Sequence, residues 1–400
     1  MNIHLSWQQP KVGRFALFYL GFRPFFFLAS LSAALLGVIW LLSFSGGMTL
    51  NTAWPTPALW HGHEMIFGFG MAVIAGFLLT AIRNWTQIQT LHRWPLAVLT
   101  GLWLGARIAN LFAEGRILAA VLDALFGIML AVAMSWPIIQ TRQWAQIGLI
   151  SKVWLLVVAN FFSYWLADDP AQARTALLFG LLLVVAILIT MIHRVLPFFI
   201  EKAAQMKQGR HLQLPRGKNL QKWNLVLFLA FTVGWLFWSS HPVTAFIALL
   251  LALLNGWLLA RWADRVVFHE PLLWSLWAGY AFIVLGFLLI AFSSVFPATN
   301  WLGVHAFGAG AMGLTTLGMM IRVTLGHTGR NVFQPGQLAS AMLALVLIAG
   351  IVRVLGPLLL PYQYTLLVAF SLVLWILAFG LFWLTYAPMW LRPRIDGHYG

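Results

Sequence analysis

Twelve apolar stretches, each long enough to cross a bilayer core of about 30 Å, fill most of this 400-residue chain and leave few ways to fold it. They run from Phe25 to Phe44, Trp60 to Ile82, Pro95 to Ala113, Arg116 to Ile139, Lys152 to Ala167 and Thr175 to Ile200. The rest run from Trp223 to Ser239, Val243 to Ala260, Pro271 to Phe296, Trp301 to Val323, Gln337 to Leu358 and Tyr364 to Ala387. A chain in lipid must satisfy its backbone polar groups internally, which leaves helices or a closed barrel. The runs far exceed the roughly 10 residues of a barrel strand. The expectation is an all-α polytopic membrane protein with about twelve transmembrane helices. With 8% charged residues the chain also falls well below the roughly 25% of soluble domains.

The net charge of +15 could suggest nucleic acid. Positive loops against anionic lipid explain it better, because all but four of the 24 Lys and Arg residues fall on one side when the N-terminus is cytoplasmic. Arg116 and Arg174 fall in outer loops, and Arg107 and Arg353 within spans. Both termini are then expected to be cytoplasmic. Lipid is the expected partner, with no nucleic acid. The stretch before Phe25 lacks an apolar signal core, so no cleaved secretory peptide is expected. One integral membrane domain, 1–400, is expected, its helix groups 25–200 and 223–387 joined by a basic cytoplasmic linker, 201–222. No internal repeat stands out. The absence of Cys excludes disulfides, thiolate-ligated haem and iron–sulfur clusters.

The most informative short segment is Trp60-His61-Gly62-His63-Glu64-Met65, which sets two imidazoles and a carboxylate at the start of the second span. Ionisable groups at membrane depth are costly and mark working sites. Counting about 1.5 Å per residue brings His61, His63, Glu64, Arg107, Asp123, His305 and Arg353 into the outer half. Residues two apart on a helix point about 200° apart, so only one of His61 and His63 is expected to face a given cofactor. His63 and His305 form the sharper pair, each followed by glycines (Gly68, Gly70 and Gly76; Gly308, Gly310 and Gly313) that leave either a slot for a flat cofactor or a packing seam.

Glu64 can orient His61 as a supporting carboxylate, and Arg107 with Asp123 can form an ion pair between neighbouring helices. Arg107 and Arg353 can also hold the carboxylates of a haem. The Gly308–Gly313 spacing mimics a dinucleotide fingerprint, but no strand precedes it. On the inner side, His193, Arg194, Arg322, His327 and Arg330 can line a basic pocket, although helix-end snorkelling and turns account for most of them. The loop and tail histidines, His4 among them, carry no assigned role.

Several segments resemble the NnrS family of bacterial inner-membrane proteins: Gly21-Phe22-Arg23-Pro24-Phe25-Phe26, Trp60 to Met65, Gly76-Phe77-Leu78-Leu79-Thr80, Asn84-Trp85-Thr86, and Gly105 with Arg107. The longest resemblance runs from His305-Ala306 through Gly313, Thr316-Leu317-Gly318 and Met319-Met320 to Arg322, and ends in Gly326-His327-Thr328-Gly329-Arg330. The resemblance implies haem, copper as a candidate second metal, and a role in the nitric oxide and nitrosative-stress response. A fainter likeness links the same two spans to the large subunit of haem–copper oxidases and nitric oxide reductases. There a His from each helix ligates haem, roles that His63 or His61 with His305 would fill. The chain departs from that pattern in lacking a His pair on the seventh span and a Tyr four residues after His193.

Haem held by His63 and His305, steadied by Arg107 and Arg353, is thus the leading expectation, with His61, His63, His305 and Met65 as metal-ligand candidates and Met312 a further one for copper. Two axial imidazoles would favour electron transfer or haem handling, whereas one would leave a position for nitric oxide. The rival expectation is a twelve-helix transporter of an anionic or metal-complex solute. Whether the protein is an enzyme, and what its redox partner is, stay open at this level.

Overall fold

The computed structural model describes residues 13–239 and 241–399, the side chains of Lys218 and Asn219 excepted. His4, and Lys11 in the charge count, lie outside the described residues. Among those residues the regular structure is entirely helical. We number thirteen helices: α1 (Phe22–Phe44), α2 (Pro57–Thr86), α3 (Arg93–Ala109), α4 (Arg116–Gln140), α5 (Ile147–Trp165), α6 (Pro170–Gln208) and α7 (Lys218–Phe237). They continue with α8 (Pro242–Arg261), the short α9 (Arg265–His269), α10 (Pro271–Ala291), α11 (Ala298–His327), α12 (Gln337–Leu359) and α13 (Tyr364–Leu391).

Eleven helices among the described residues are long and apolar enough to cross a membrane. The expected third span is α3, which has 17 residues and ends at Ala109, not Ala113. Its length of about 26 Å is at the short end of what spans a bilayer. Asn110 takes over at its end because its side chain is drawn into polar contacts with Trp54, Glu64 and Tyr164.

A second difference concerns the linker. Helix α6 continues through Gln208, because residues 201–208 are good helix formers and Ala203 and Ala204 are buried. Gly209, at φ 64°, stops it in the left-handed conformation that glycine adopts without strain. The rest of the linker is pinned: Leu214 N–H donates to Glu201 Oε1 at 2.9 Å, and Trp262 Nε1 donates to the Pro215 carbonyl at 3.0 Å.

The interior belongs to α2, α11 and α6, whose most apolar windows are 83%, 78% and 72% buried, against 22–44% for α1, α4, α5, α7, α8, α12 and α13. Both α2 and α11 contain a seven-residue π-helical stretch, Glu64–Gly70 and Ala306–Met312, each directly after a histidine. Each stretch contains a Phe-Gly-x-Gly sequence, Phe67-Gly68-Phe69-Gly70 and Phe307-Gly308-Ala309-Gly310. This is a local likeness between the second and tenth spans within a chain that shows no broader repeat. Such bulges recur at functional sites. The two approach one another where a Cβ on Gly70 would lie 3.5 Å from Met312 Sδ.

Candidate cofactor cavity

Thr56 accepts from Leu59 N–H at 3.3 Å and Pro57 follows it, so α2 begins one turn before His61. Both histidines are therefore helical, and they point to opposite sides. Ala58, His61, Gly62 and Met65 form a stripe at i, i+3, i+4 and i+7 that faces a cavity of about 510 Å³. Trp301, His305, Gly308 and Met312 form the matching stripe on α11. Trp40, Arg174, Arg353 and Tyr364 also line it, and among the described residues no carboxylate does. Taking the side richer in Lys and Arg as cytoplasmic, this cavity lies in the outer half.

Inside the cavity the His61 ring stacks on Trp40, with centroids 4.5 Å apart and planes 9° apart. His305 Nδ1 lies 2.8 Å from the Trp301 carbonyl, and Arg353 Nη2 lies 2.9 Å from His305 Nε2. The carbonyl can only accept, so Nδ1 carries the proton and Nε2 keeps a lone pair toward the cavity, held by Arg353. Arg353 Nη1 is buried and has no hydrogen-bond partner among the described residues. Arg174 stands over Trp301 at 5.5 Å.

His63 lies elsewhere, fully buried in a polar network shared by α2 to α5. Its Nδ1 is 3.2 Å from Glu64 Oε1 and its Nε2 is 2.9 Å from Asn160 Oδ1. Arg107 bridges the two carboxylates of the network, donating to Glu64 at 3.0 Å and to Asp123. Tyr164 donates to Asp123 at 2.8 Å, and Asn110 donates to Glu64 at 3.0 Å and to Tyr164 at 2.7 Å. Trp54 covers the His63 ring at 4.5 Å and donates to Asn110. Glu64 Oε2, Asp123 Oδ1 and Arg107 Nε are buried without hydrogen-bond partners among the described residues.

The seven ionisable groups of the outer half thus divide into two sets. His61, His305 and Arg353 line the cavity. His63, Glu64, Arg107 and Asp123 make the closed network, so Glu64 contacts His63 and not His61, and Arg107 is not beside Arg353. Met65 and Met312 join the first set. Among the described residues no three His, Asp or Glu side chains are grouped to hold a metal ion. The glycines divide too. A Cβ at Gly76, Gly310 or Gly313 would strike Phe26, Phe282 or Trp375 within 2.8 Å, and one at Gly68 would meet Arg107 Nη1 at 3.0 Å, so these are packing seams. Gly308 faces open space.

The inner basic residues are dispersed. His193 Nε2 lies 2.6 Å from Tyr280 Oη, and Arg194 donates to Gln146 and Ala145. Arg322 sits 3.6 Å over the Phe199 ring. His327 packs on Phe22, and Arg330 bonds back to the Thr328 carbonyl.

Sequence reasoning missed Trp40 and Tyr364 and assigned Arg174 to a loop. Asp169, the N-cap of α6, was the available signal for Arg174. Its side chain accepts from Ala171 and Gln172 N–H, so Arg174 enters on the first turns of a descending helix. Those hydrogen bonds hold the Asp169 carboxyl below its ordinary pKa.

A bundle of helices apolar enough to span a membrane, around a cavity that carries imidazole, guanidinium and thioether groups, defines a polytopic membrane protein with a candidate ligand or cofactor site. The model of the family described as NnrS protein matches residues 16–394, and the chain belongs to that family. At family level it is a membrane protein of the nitric oxide response. No curated protein matches it in sequence.

Proposed function

We propose that the protein binds haem in the outer cavity and acts through it in the nitric oxide response of the inner membrane. The observation that carries this reading is a pair of imidazoles, His61 and His305, in one apolar cavity with two arginines and no carboxylate. About 510 Å³ lies within the usual range for small-molecule and cofactor sites. The residues fit a flat, anionic, metal-bearing group. A metal-ligating histidine donates its other ring nitrogen to a carbonyl or carboxylate, as His305 does to Trp301. The unpartnered Arg353 Nη1 is the donor that a haem carboxylate would require. Trp40, Trp301 and Tyr364 supply aromatic walls.

His305 would hold the iron through Nε2 once Arg353 turned from that nitrogen to a haem carboxylate, with His61 as the second imidazole and Arg174 as the second cation for the carboxylates. Haem would supply an iron centre able to exchange one electron or to bind nitric oxide. His63 is assigned a structural role in place of the ligand role expected from sequence, because its ring nitrogens face Glu64 and Asn160 inside the polar network and it does not line the cavity. Copper remains a candidate for the same cavity through the thioethers of Met65 and Met312, which suit a soft metal ion.

Optical spectra of protein purified from haem-replete cells test the reading. A Soret band that is lost in His305→Ala, and lost or shifted in His61→Ala, is expected, with His63→Ala keeping the band in whatever fraction folds. A band absent from the wild type, or insensitive to both cavity histidines, refutes it.

A further inference from the structure

On the opposite side of the membrane from the cavity, a cleft of about 200 Å³ opens between α5, α6 and α7, at the seam of the two helix groups. Lys152 and Arg194 stand at its rim, His193 and Asn224 on its wall, and Ile189 and Phe228 give it an apolar depth. Among the described residues no carboxylate lines it. Among the described residues the two cations hydrogen-bond only to neutral oxygens, Lys152 Nζ to the Gly148 carbonyl at 2.6 Å and Arg194 to Gln146 Oε1 at 2.7 Å and the Ala145 carbonyl at 3.3 Å, and Arg194 also stands over the Trp85 ring at 5.7 Å.

Other basic residues on this side are treated differently. Lys207 pairs with Glu270, Arg210 with Asp264 and Arg216 with Glu201. A protein with so few acids spends three of them there and none on the cleft. The cleft wall is also held in place. Asn224 donates to Asn255 Oδ1 at 2.6 Å, Tyr280 donates to the same oxygen at 2.6 Å, and His193 lies against Tyr280. This chain of contacts ties α6, α7, α8 and α10 together behind the site.

Cations without a carboxylate partner beside apolar side chains match the chemistry of an anionic amphiphile at the inner interface. Basic pockets between transmembrane helices take lipid head groups by this combination, and a lysine and an arginine can both bond a phosphate. We propose that this seam cleft binds the phosphate head group of an anionic phospholipid. Lys152 and Arg194 hold the phosphate, and an acyl chain lies over Ile189 and Phe228. Bound there, the lipid bridges the two helix groups.

Native mass spectrometry of the full chain, released from nanodiscs of dioleoylphosphatidylglycerol or dioleoylphosphatidylcholine, tests this. The wild type is expected to retain phosphatidylglycerol and not phosphatidylcholine. Retention should fall about 30-fold in the double variant Lys152→Gln and Arg194→Gln and stay unchanged in Arg261→Ala, an exposed charge on α8. Should the double variant not fold, Ala186→Phe keeps both charges and fills the apolar depth, and it should also lose the lipid. Equal retention of the two lipids, or retention of phosphatidylglycerol in both the double variant and Ala186→Phe, overturns the proposal. Binding of inorganic phosphate without retained lipid, abolished in the double variant, assigns the charge pair to a soluble phosphate and overturns the lipid reading.

Discussion

Two histidines two residues apart on one helix occupy opposite kinds of environment. Around His63 every charged group meets a countercharge or an amide, and the side chains come from four helices. Around His61 and His305 the neighbours are aromatic rings, thioethers and arginines, set around a cavity of about 510 Å³ that no carboxylate lines among the described residues. The first arrangement balances its own charges, whereas the second gathers cations that no lining carboxylate among the described residues balances. Burial and ionisability alone therefore do not distinguish a ligand from a structural residue. What distinguishes them is whether the surrounding charges are already balanced and whether the side chain lines a cavity.

The largest effect should come from breaking the closed side. Arg107→Met leaves Glu64 and Asp123 without their shared guanidinium, a loss of about 3–5 kcal/mol. Melting in detergent should show it as a collapse of folded yield. Restoring neutrality with Glu64→Gln and Asp123→Asn should recover most of the stability. A single variant that melts like the wild type would remove the distinction drawn here.

His63→Ala comes next, at about 1–3 kcal/mol for the groups it leaves unpaired. His305→Ala should melt close to the wild type while losing haem, and the reverse pattern would exchange the roles of the two sites. Smaller still is the contrast between two glycines on α11. Gly310→Ala forces a methyl into Phe282 and should cost about 1–3 kcal/mol, whereas Gly308→Ala should leave stability unchanged and weaken cofactor retention by narrowing the cavity.

The smallest effect concerns Asp169, which starts the helix that carries Arg174 to the cavity. Its folded pKa is lowered by hydrogen bonds from Gln172 and Ala171, so its contribution is present above the unfolded value of about 3.9 and is lost as pH falls through the folded value. The melting difference between wild type and Asp169→Ala should be visible at pH 7 and close on acidification below about 4. A difference that persists at the lowest pH would mean that the cap acts without its charge.

The helical, membrane-spanning fold is legible in the apolar runs because lipid offers the backbone few other solutions. Depth is legible as well: counting along the spans puts His61, His305 and Arg353 at one level, where the cavity lies. Facing is harder to read. His61 and His63 are equally plausible ligands until the starting residue and the neighbours of α2 are known. The stripe of Ala58, His61, Gly62 and Met65 was the available signal, yet Trp60, His63, Glu64 and Phe67 form an equally regular one on the opposite side. Partners distant in sequence decide between them. Asn160 is 97 positions from His63, and Arg353 is 48 from His305.

The widened turns that follow His63 and His305 have a further consequence. A π turn adds a residue without adding a full α-helical repeat, so it offsets the azimuth of everything downstream from everything upstream. The ends of α2 and α11 that bear the histidines can thus be oriented for the cavity, while the remainder of each rod keeps the alignment its helical neighbours demand. Excising one residue from either widened turn should rotate the imidazole out of place while sparing the membrane-crossing architecture.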